Sequence, residues 1–176
     1  MITAILDTET TGFLGADLLP LDHQPHMTEF AVKILDHNGE VRHQYSTLIK
    51  PPVPVSDKIT EVTGITNEDL EQASPFIKVL PYIQEAFVGV ERMIAHNLNF
   101  DKTILKHELQ RVGMEFNFPW AVYDFCTSEH ANRLYGNWTN LGNCHEILTG
   151  KQPEEAHRAM ADVDTLITCC KLWNIL

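Results

Sequence analysis

An apolar run at residues 2–6 leads directly into two carboxylates, Asp7 and Glu9, and then into Thr-Thr-Gly. Side chains of a β-strand alternate between its two faces, so residues i and i+2 point the same way. If residues 2–9 form a strand, Asp7 and Glu9 project together from one face. Two like charges on one face repel each other, and a bound divalent cation is the usual reason for keeping them there, because hard cations prefer oxygen ligands. The pair therefore predicts a metal site at the end of a buried strand.

The same spacing occurs a second time, at Asp69 and Glu71. An Asp-x-Glu pair is expected by chance about half a time in a chain of this length. The second pair lies in the polar run 66–72, which predicts a solvated and capped helical turn. The setting of the first pair, and not its spacing, therefore makes it a candidate site.

The composition predicts one globular domain over residues 1–176, because 44% apolar and 21% charged side chains are ordinary for such a domain. No apolar run approaches about 18 residues and no signal-peptide pattern is present, so we expect a cytoplasmic protein without a membrane span. The four cysteines lack a Cys-x₂-Cys spacing, which favours reduced thiols over zinc binding.

The formal net charge of −11 argues against a protein that wraps duplex DNA, because such binding needs a basic surface. The charge is compatible with an enzyme that holds a few terminal nucleotides through bound metal ions. It therefore disfavours tight, processive nucleic-acid binding and leaves the chemistry open.

Strand and helix patterns along the chain predict a mixed α/β sheet. Residues 2–7, 27–36 and 41–49 have strand patterns, with an Asn-Gly turn between the last two, and predict an antiparallel three-strand meander. Residues 90–95 and 121–124 predict two further short strands. The predicted helices are short ones after the N-caps Ser56 and Thr66 and longer ones near 75–88, 99–112, 127–135, 140–148 and 158–173. This order of elements indicates one α/β domain with helices on the faces of the sheet.

Two later acids and one histidine fit the same site. Asp101 lies just beyond the strand predicted at 90–95, and ligand sites in α/β sheets gather beyond strand ends. Asp162 lies on the otherwise apolar face of the last helix, where an inward carboxylate needs a metal or a hydrogen-bonded partner. His157 precedes Asp162 by five residues, which on a regular helix would turn the two side chains about 140° apart. We therefore expect His157 in the loop before that helix, where a movable imidazole suits a general base.

Three other acids receive simpler interpretations. Asp164 follows Asp162 by two helical residues and is expected to face solvent. Asp124 is expected to cap the helix that follows it. Glu29 lies in the second predicted strand, where a role in supporting the metal ligands is an open alternative that the sequence does not decide.

The chain resembles the DEDDh 3′→5′ exonucleases, a family that includes the proofreading subunit of bacterial DNA polymerase III and ribonuclease T. The resemblance rests on three motifs in order. They are Asp7-Thr8-Glu9-Thr10-Thr11-Gly12, then Ala95-His96-Asn97 with Phe100-Asp101, then His157 and Asp162, with Thr-Gly-Ile at 63–65 also fitting. Each motif alone is weak or moderate, whereas the three in order are specific and cover nearly the whole chain.

The resemblance implies a ribonuclease H-like fold and hydrolysis of phosphodiester bonds from 3′ ends with two Mg²⁺ or Mn²⁺ ions, releasing nucleoside monophosphates. The implied metal ligands are Asp7, Glu9, Asp101 and Asp162, and the implied general base is His157. The residues implied to line the pocket for the terminal nucleotide are Thr10, Gly12, Phe13, His96 and Asn97. Phe13 fits either a stacking role against the terminal base or a place in the core.

The Asp-x-Glu-Thr-Thr-Gly form resembles the proofreading exonucleases and favours single-stranded DNA ends. RNA 3′ ends are the alternative, and a catalytically silent subunit that binds nucleic-acid ends is a third hypothesis. A DNA polymerase or another replication or repair protein is the candidate protein partner, and we expect a monomer or a homodimer. Because the sequence stops at Leu176, soon after the last predicted helix, we expect a freestanding enzyme, or one that partners recruit through its surface, rather than a tethered proofreading subunit.

Overall fold

The computed structural model describes residues 1–16, 19–154 and 157–176. Within these ranges, five strands form one mixed sheet. They are β1 (Thr3–Thr10), β2 (Met27–Leu35), β3 (Val41–Leu48), β4 (Arg92–Ala95) and β5 (Tyr123–Cys126). Their order is β3-β2-β1-β4-β5, with antiparallel pairing among β1, β2 and β3 and parallel pairing of β4 with β1 and β5. The predicted sheet, an antiparallel meander joined to parallel strands, is confirmed.

The helices lie close to their predicted positions. They are α1 (Asp57–Thr63), α2 (Asn67–Glu71), α3 (Phe76–Phe87), α4 (Leu98–Arg111), α5 (Thr127–Tyr135), α6 (Leu141–Thr149) and α7 (Ala159–Leu172). Each end of the five longer helices falls within one residue of the predicted end. Throughout the described ranges, no helix combines the length and the apolar character needed to cross a membrane.

Side-chain caps begin the two short helices, as the sequence predicts. Ser56 caps α1 by accepting a hydrogen bond from the N–H of Ile59. Thr66 and Asp69 form a capping box on α2, in which each side chain accepts from the backbone N–H of the other residue. The second Asp-x-Glu pair therefore serves the local structure of an exposed helix.

The two faces of β1 meet different helices. Leu6 packs into a core built with α3 and α4, whereas Ile5 packs on the opposite face against α7. Because strand side chains alternate, Asp7 and Glu9 continue the face of Ile5 and point toward α7. Thr8 continues the other face and points toward α4. The fold thus delivers the first motif to two helices at once.

The end of β1 extends past its parallel neighbour. In the described sheet β1 pairs with β4 only from Thr3 to Ile5, and β4 ends at Ala95. Crevices beyond the carboxyl ends of parallel strands are where α/β sheets form their ligand sites. Asp7 and Glu9 lie in the part of β1 that borders this crevice.

Candidate active site

Two carboxylates of β1 and one of α7 converge at the crevice. Asp7, Glu9 and Asp162 each offer an oxygen atom, and these oxygens all lie within 4.8 Å of one another. Asp7 and Glu9 meet Asp162 because they occupy the face of β1 that packs against α7. A group of carboxylate oxygens at this separation suits a divalent cation, which prefers such ligands.

Asp101 approaches the same place from α4. It lies in the first turn of that helix and is 2% exposed. The Thr8 hydroxyl donates a hydrogen bond to Asp101 Oδ1 at 2.8 Å. Asp101 lies outside the group of three oxygens but borders the same cavity as the other three acids, and its charge raises the pKa of both Asp7 and Glu9. The four acids of the three motifs are therefore neighbours in the folded chain.

The electrostatics of this cluster favour a cation. Burial raises the pKa of Asp7 well above its ordinary value, and the charges of Asp101, Asp162 and Glu9 raise it further. Burial, followed by the charges of Asp162 and Glu29, raises the pKa of Glu9 to about 8. Burial also raises the pKa of Asp101 to about 7 and is the largest cause of the raised pKa of Asp162. Since a bound cation stabilises ionised carboxylates, the residues present fit a divalent metal.

The acids open into a cavity of about 430 Å³. Its lining includes Asp7, Glu9 and Asp101 together with the start of α6, Gln152 and Pro153. The volume lies within the range of small-molecule sites in proteins. The cavity can therefore accept a group of nucleotide size against the carboxylates.

His157 lies outside regular structure, just before α7, as the sequence predicts. Its side chain is exposed and borders the cavity. Its backbone has φ of 60°, and its N–H donates to Asp162 Oδ2 at 2.9 Å. The charge of His157 lowers the pKa of Asp162, against the larger effect of burial. The imidazole therefore lies beside the acids, and Asp162 helps to hold the backbone at His157.

His96 and Asn97 border the cavity, but the ring of His96 is already engaged. His96 Nε2 lies 3.0 Å from the carbonyl of Thr139, and Nδ1 lies 3.1 Å from Thr127 Oγ1. A carbonyl only accepts, so Nε2 carries the proton in the neutral ring that burial favours by lowering the pKa of His96. Asn97 has left-handed backbone with φ of 69° at the N-cap of α4. His96 therefore ties the end of β4 to the segment that precedes α6.

Thr10, Gly12 and Phe13 do not line this cavity in the part of the chain that the structure describes. The pairing of β1 with β2 shifts register between Glu9 and Thr10, at the end of the first motif. The Thr10 hydroxyl donates to the carbonyl of Gly12 and so closes the turn after β1. Phe13 is 83% exposed, which rules out a place in the core. Of the residues implied to contact the nucleotide, His96 and Asn97 line the cavity with the acids, and these three are not among its lining residues in the described ranges.

Two expectations for the remaining acids have opposite outcomes. Asp124 does not cap α5, since the N-cap is Cys126 and Asp124 forms an ion pair with Lys102 of α4. Asp164 is exposed, as predicted, and pairs with Lys33 of β2. The error at Asp124 arises because β5 continues two residues beyond the predicted strand end.

Sequence reasoning missed an ion pair between a buried glutamate and a half-exposed arginine beside the site. Glu29 of β2 is 3% exposed and accepts two hydrogen bonds from the guanidinium of Arg158, at 3.0 and 3.1 Å. It also missed the part of the cavity lining that begins at Asn140. An acid inside the apolar strand β2 and an arginine directly after His157 were the available signals.

The sequence matches an exonuclease family model and PolC-type DNA polymerases along most of its length. Residues 4–169 match the model of the ribonuclease T family, described as exonuclease. DNA polymerase III PolC-type of Thermotoga petrophila is 36% identical over 164 residues, which is 90% of this chain and 11% of the relative. The corresponding protein of Clostridium perfringens is 34% identical over 159 residues, which is 90% of this chain and 10% of the relative. The chain spans about a tenth of the length of these curated relatives.

Solved structures share the fold. The nuclease domain of 3′hExo, described as a DEDDh family member bound to rAMP, has a TM-score of 0.75 and 18% identity, covering 99% of this chain and 91% of that chain. Exonuclease X in complex with 5′ overhanging duplex DNA has a TM-score of 0.65 and 22% identity, covering 96% of this chain and 91% of that chain. The mixed sheet with helices on its faces is therefore the ribonuclease H-like fold expected from the motifs.

Proposed function

This chain belongs to the DEDDh family of 3′→5′ exonucleases, and on that premise we propose that it shortens single-stranded DNA from the 3′ end by metal-dependent hydrolysis. The observation that carries the proposal is the convergence of Asp7, Glu9 and Asp162, with Asp101 beside them, at a cavity that His157 borders. Nucleoside monophosphates are the proposed products.

The four carboxylates would hold two divalent cations, Mg²⁺ or Mn²⁺, and their charges would nearly balance those of the two ions. When bound, such ions make a water molecule more acidic and offset the negative charge of the phosphate. Thr8 holds Asp101 in place through its hydroxyl, which fixes the carboxylate that α4 contributes. The cavity beside the acids receives the terminal nucleotide.

His157 is the proposed general base. The oxygen of the attacking water forms a bond to phosphorus and its proton passes to the imidazole. The bond from phosphorus to the 3′ oxygen breaks, and that oxygen takes up a proton from solvent to leave a 3′ hydroxyl on the shortened strand. A neutral imidazole accepts protons near neutral pH, which suits this step. The position of His157 at the rim of the cavity supports this role.

The proposed preference for DNA rests on the PolC-type relatives, whose names identify them as DNA polymerases. The same relatives make a DNA polymerase or replication protein the proposed partner. RNA 3′ ends are the alternative, because the fold also occurs in 3′hExo, whose structure holds rAMP.

The test compares single-stranded DNA and RNA of one sequence, each labelled at the 5′ end, in Mg²⁺ or Mn²⁺. We expect products that shorten from the 3′ end, faster for DNA than for RNA, and no products when EDTA removes the metal. If the RNA is shortened faster than the DNA, the preferred substrate is RNA and the alternative proposal is favoured. Binding of DNA ends without hydrolysis in either metal would overturn the proposal and favour a catalytically silent subunit.

A further inference from the structure

Glu29 is a buried carboxylate at the edge of the proposed metal site. It stands opposite Glu9 in the antiparallel pairing of β1 and β2. Cross-strand neighbours share a face of the sheet, so Glu29 also points toward α7. A buried charge needs compensating partners, and Glu29 has them in Arg158 and Ala159 at the start of α7.

The contacts of Glu29 cap α7 from a neighbouring strand. Arg158 occupies the N-cap position but makes no side-chain cap of its own. Ala159 is the first residue of the helix, where the backbone N–H has no partner within the helix. Glu29 Oε2 accepts that N–H at 3.1 Å. A carboxylate at this end of a helix is also favoured by the helix dipole.

The residue before this cap is His157. Its left-handed backbone, with φ of 60°, persists only where the surroundings hold it. Asp162 accepts the His157 N–H on one side, and Glu29 binds Arg158 and Ala159 on the other. Two carboxylates therefore fix three consecutive residues at the start of the helix that carries Asp162.

We propose that Glu29 and Arg158 form a clamp that positions His157 and Asp162 for phosphodiester hydrolysis, an inference that rests on the proposed function. Arg158 acts in this clamp through Glu29 and does not bind the substrate. The rival role for Arg158 is a phosphate contact, since its side chain is 49% exposed. The two roles predict different kinetics, because a phosphate contact does not need Glu29.

The kinetic test uses Glu29→Gln, Arg158→Met, the double variant and Arg158→Lys, with single-stranded DNA in Mg²⁺. For a clamp, each single variant lowers kcat by about ten- to a hundredfold, as is common for groups that orient metal ligands. KM changes little, and the kcat of the double variant is no lower than that of the less active single variant. The kcat of Arg158→Lys is also low, because an ammonium cannot make both hydrogen bonds of the guanidinium. Arg133→Met, which removes an arginine from an exposed pair with Glu129, is the matched control and keeps wild-type kinetics.

A second measurement does not depend on activity. In the metal-free protein, we expect Glu29→Gln to speed amide hydrogen exchange at Ala159 and His157 while leaving the amides of α3 protected. If Glu29→Gln does not fold, Arg158→Lys replaces it in the same comparison.

Three outcomes overturn the clamp: unchanged exchange at both amides, wild-type kcat in Glu29→Gln, or a raised KM in Arg158→Met with kcat unchanged. An inactive wild-type protein would instead remove the proposed function, and faster exchange at these amides would still support the structural role of Glu29.

Discussion

The side chains of Asp7 and Glu9 are partly buried beside other carboxylates, and each has a pKa above its ordinary value. Folding alone would favour neutral side chains at these positions. The repulsion is therefore a cost that the metal-free protein carries and that a bound cation relieves. Substitution of such a residue by a neutral one should raise the stability of the metal-free protein and lower its activity.

Asp7→Asn tests this separation. The variant removes one charge from the buried cluster and keeps the size of the side chain, so we expect the metal-free protein to gain about 1 kcal/mol in unfolding free energy. We expect exonuclease activity to fall by more than about a hundredfold, because a proposed metal ligand is lost. Denaturant unfolding in EDTA and oligonucleotide hydrolysis in Mg²⁺ measure the two effects. A variant that is less stable and fully active would contradict both expectations.

The same carboxyls make the metal-free protein sensitive to pH. Glu9 and Asp101 have pKa values of about 8 and about 7 in the folded chain, whereas unfolded carboxyls titrate near pH 4. Between these values the folded state binds more protons than the unfolded state, so the unfolding free energy falls as pH rises from about 4 to about 8. Melting temperatures in EDTA should therefore decrease across this window, and Glu9→Gln should flatten part of the decrease. A melting temperature that rises with pH would argue against the raised pKa values.

His157 should contribute to catalysis and little to metal binding. For His157→Ala we expect kcat to fall by about a hundred- to ten-thousandfold, the usual contribution of a general base. Mn²⁺ affinity measured by calorimetry should stay near the wild-type value, because the four carboxylates remain. His23→Ala is the matched control, since His23 is exposed at the end of a short 3₁₀ helix, Leu21–His23, between β1 and β2. Loss of Mn²⁺ binding in His157→Ala would assign the imidazole to the metal site instead.

At the scale of elements, local signals predicted the helices well. Each end of the longer helices lies within one residue of its predicted position because caps and helical periods mark it. The convergence of Asp7 and Glu9 followed from strand alternation, which depends only on neighbouring residues. The contact of Glu29 with Arg158 could not be predicted, because it depends on the pairing of β1 with β2 and on the packing of α7 across 129 residues of sequence. The contribution of α6 to the cavity lining depends on tertiary packing in the same way.

The capping box on α2 provides an element that affects stability alone. Thr66→Ala removes the side chain that accepts the N–H of Asp69, and loss of such a cap costs about 1 kcal/mol. We expect a lower midpoint in denaturant unfolding with exonuclease activity unchanged, since α2 does not contribute to the lining of the cavity in the described ranges. A change in kcat without a change in stability would show that α2 affects the site.

At the scale of the whole molecule, the sheet and the two helical layers bring the acids to a single crevice on an acidic protein. β1 extends beyond β4, α4 contributes Asp101 from one face and α7 contributes Asp162 from the other. The net charge of −11 disfavours extended electrostatic contact between the protein and a nucleic-acid strand. Contacts with substrate should therefore concentrate at the terminal nucleotides.

The acidic net charge predicts weak binding of nucleic acid and distributive hydrolysis. Each phosphate that a protein neutralises on a single strand contributes a slope of about −0.7 to the dependence of log K on log salt. With contacts confined to one or two terminal phosphates, we expect a slope between about −0.7 and −1.4 for binding of single-stranded DNA to His157→Ala. In single-encounter hydrolysis with excess unlabelled DNA as a trap, the wild-type protein should release about one nucleotide before it dissociates. A slope steeper than about −3, or long runs of cleavage in the presence of the trap, would require a basic path along the strand that the composition does not predict.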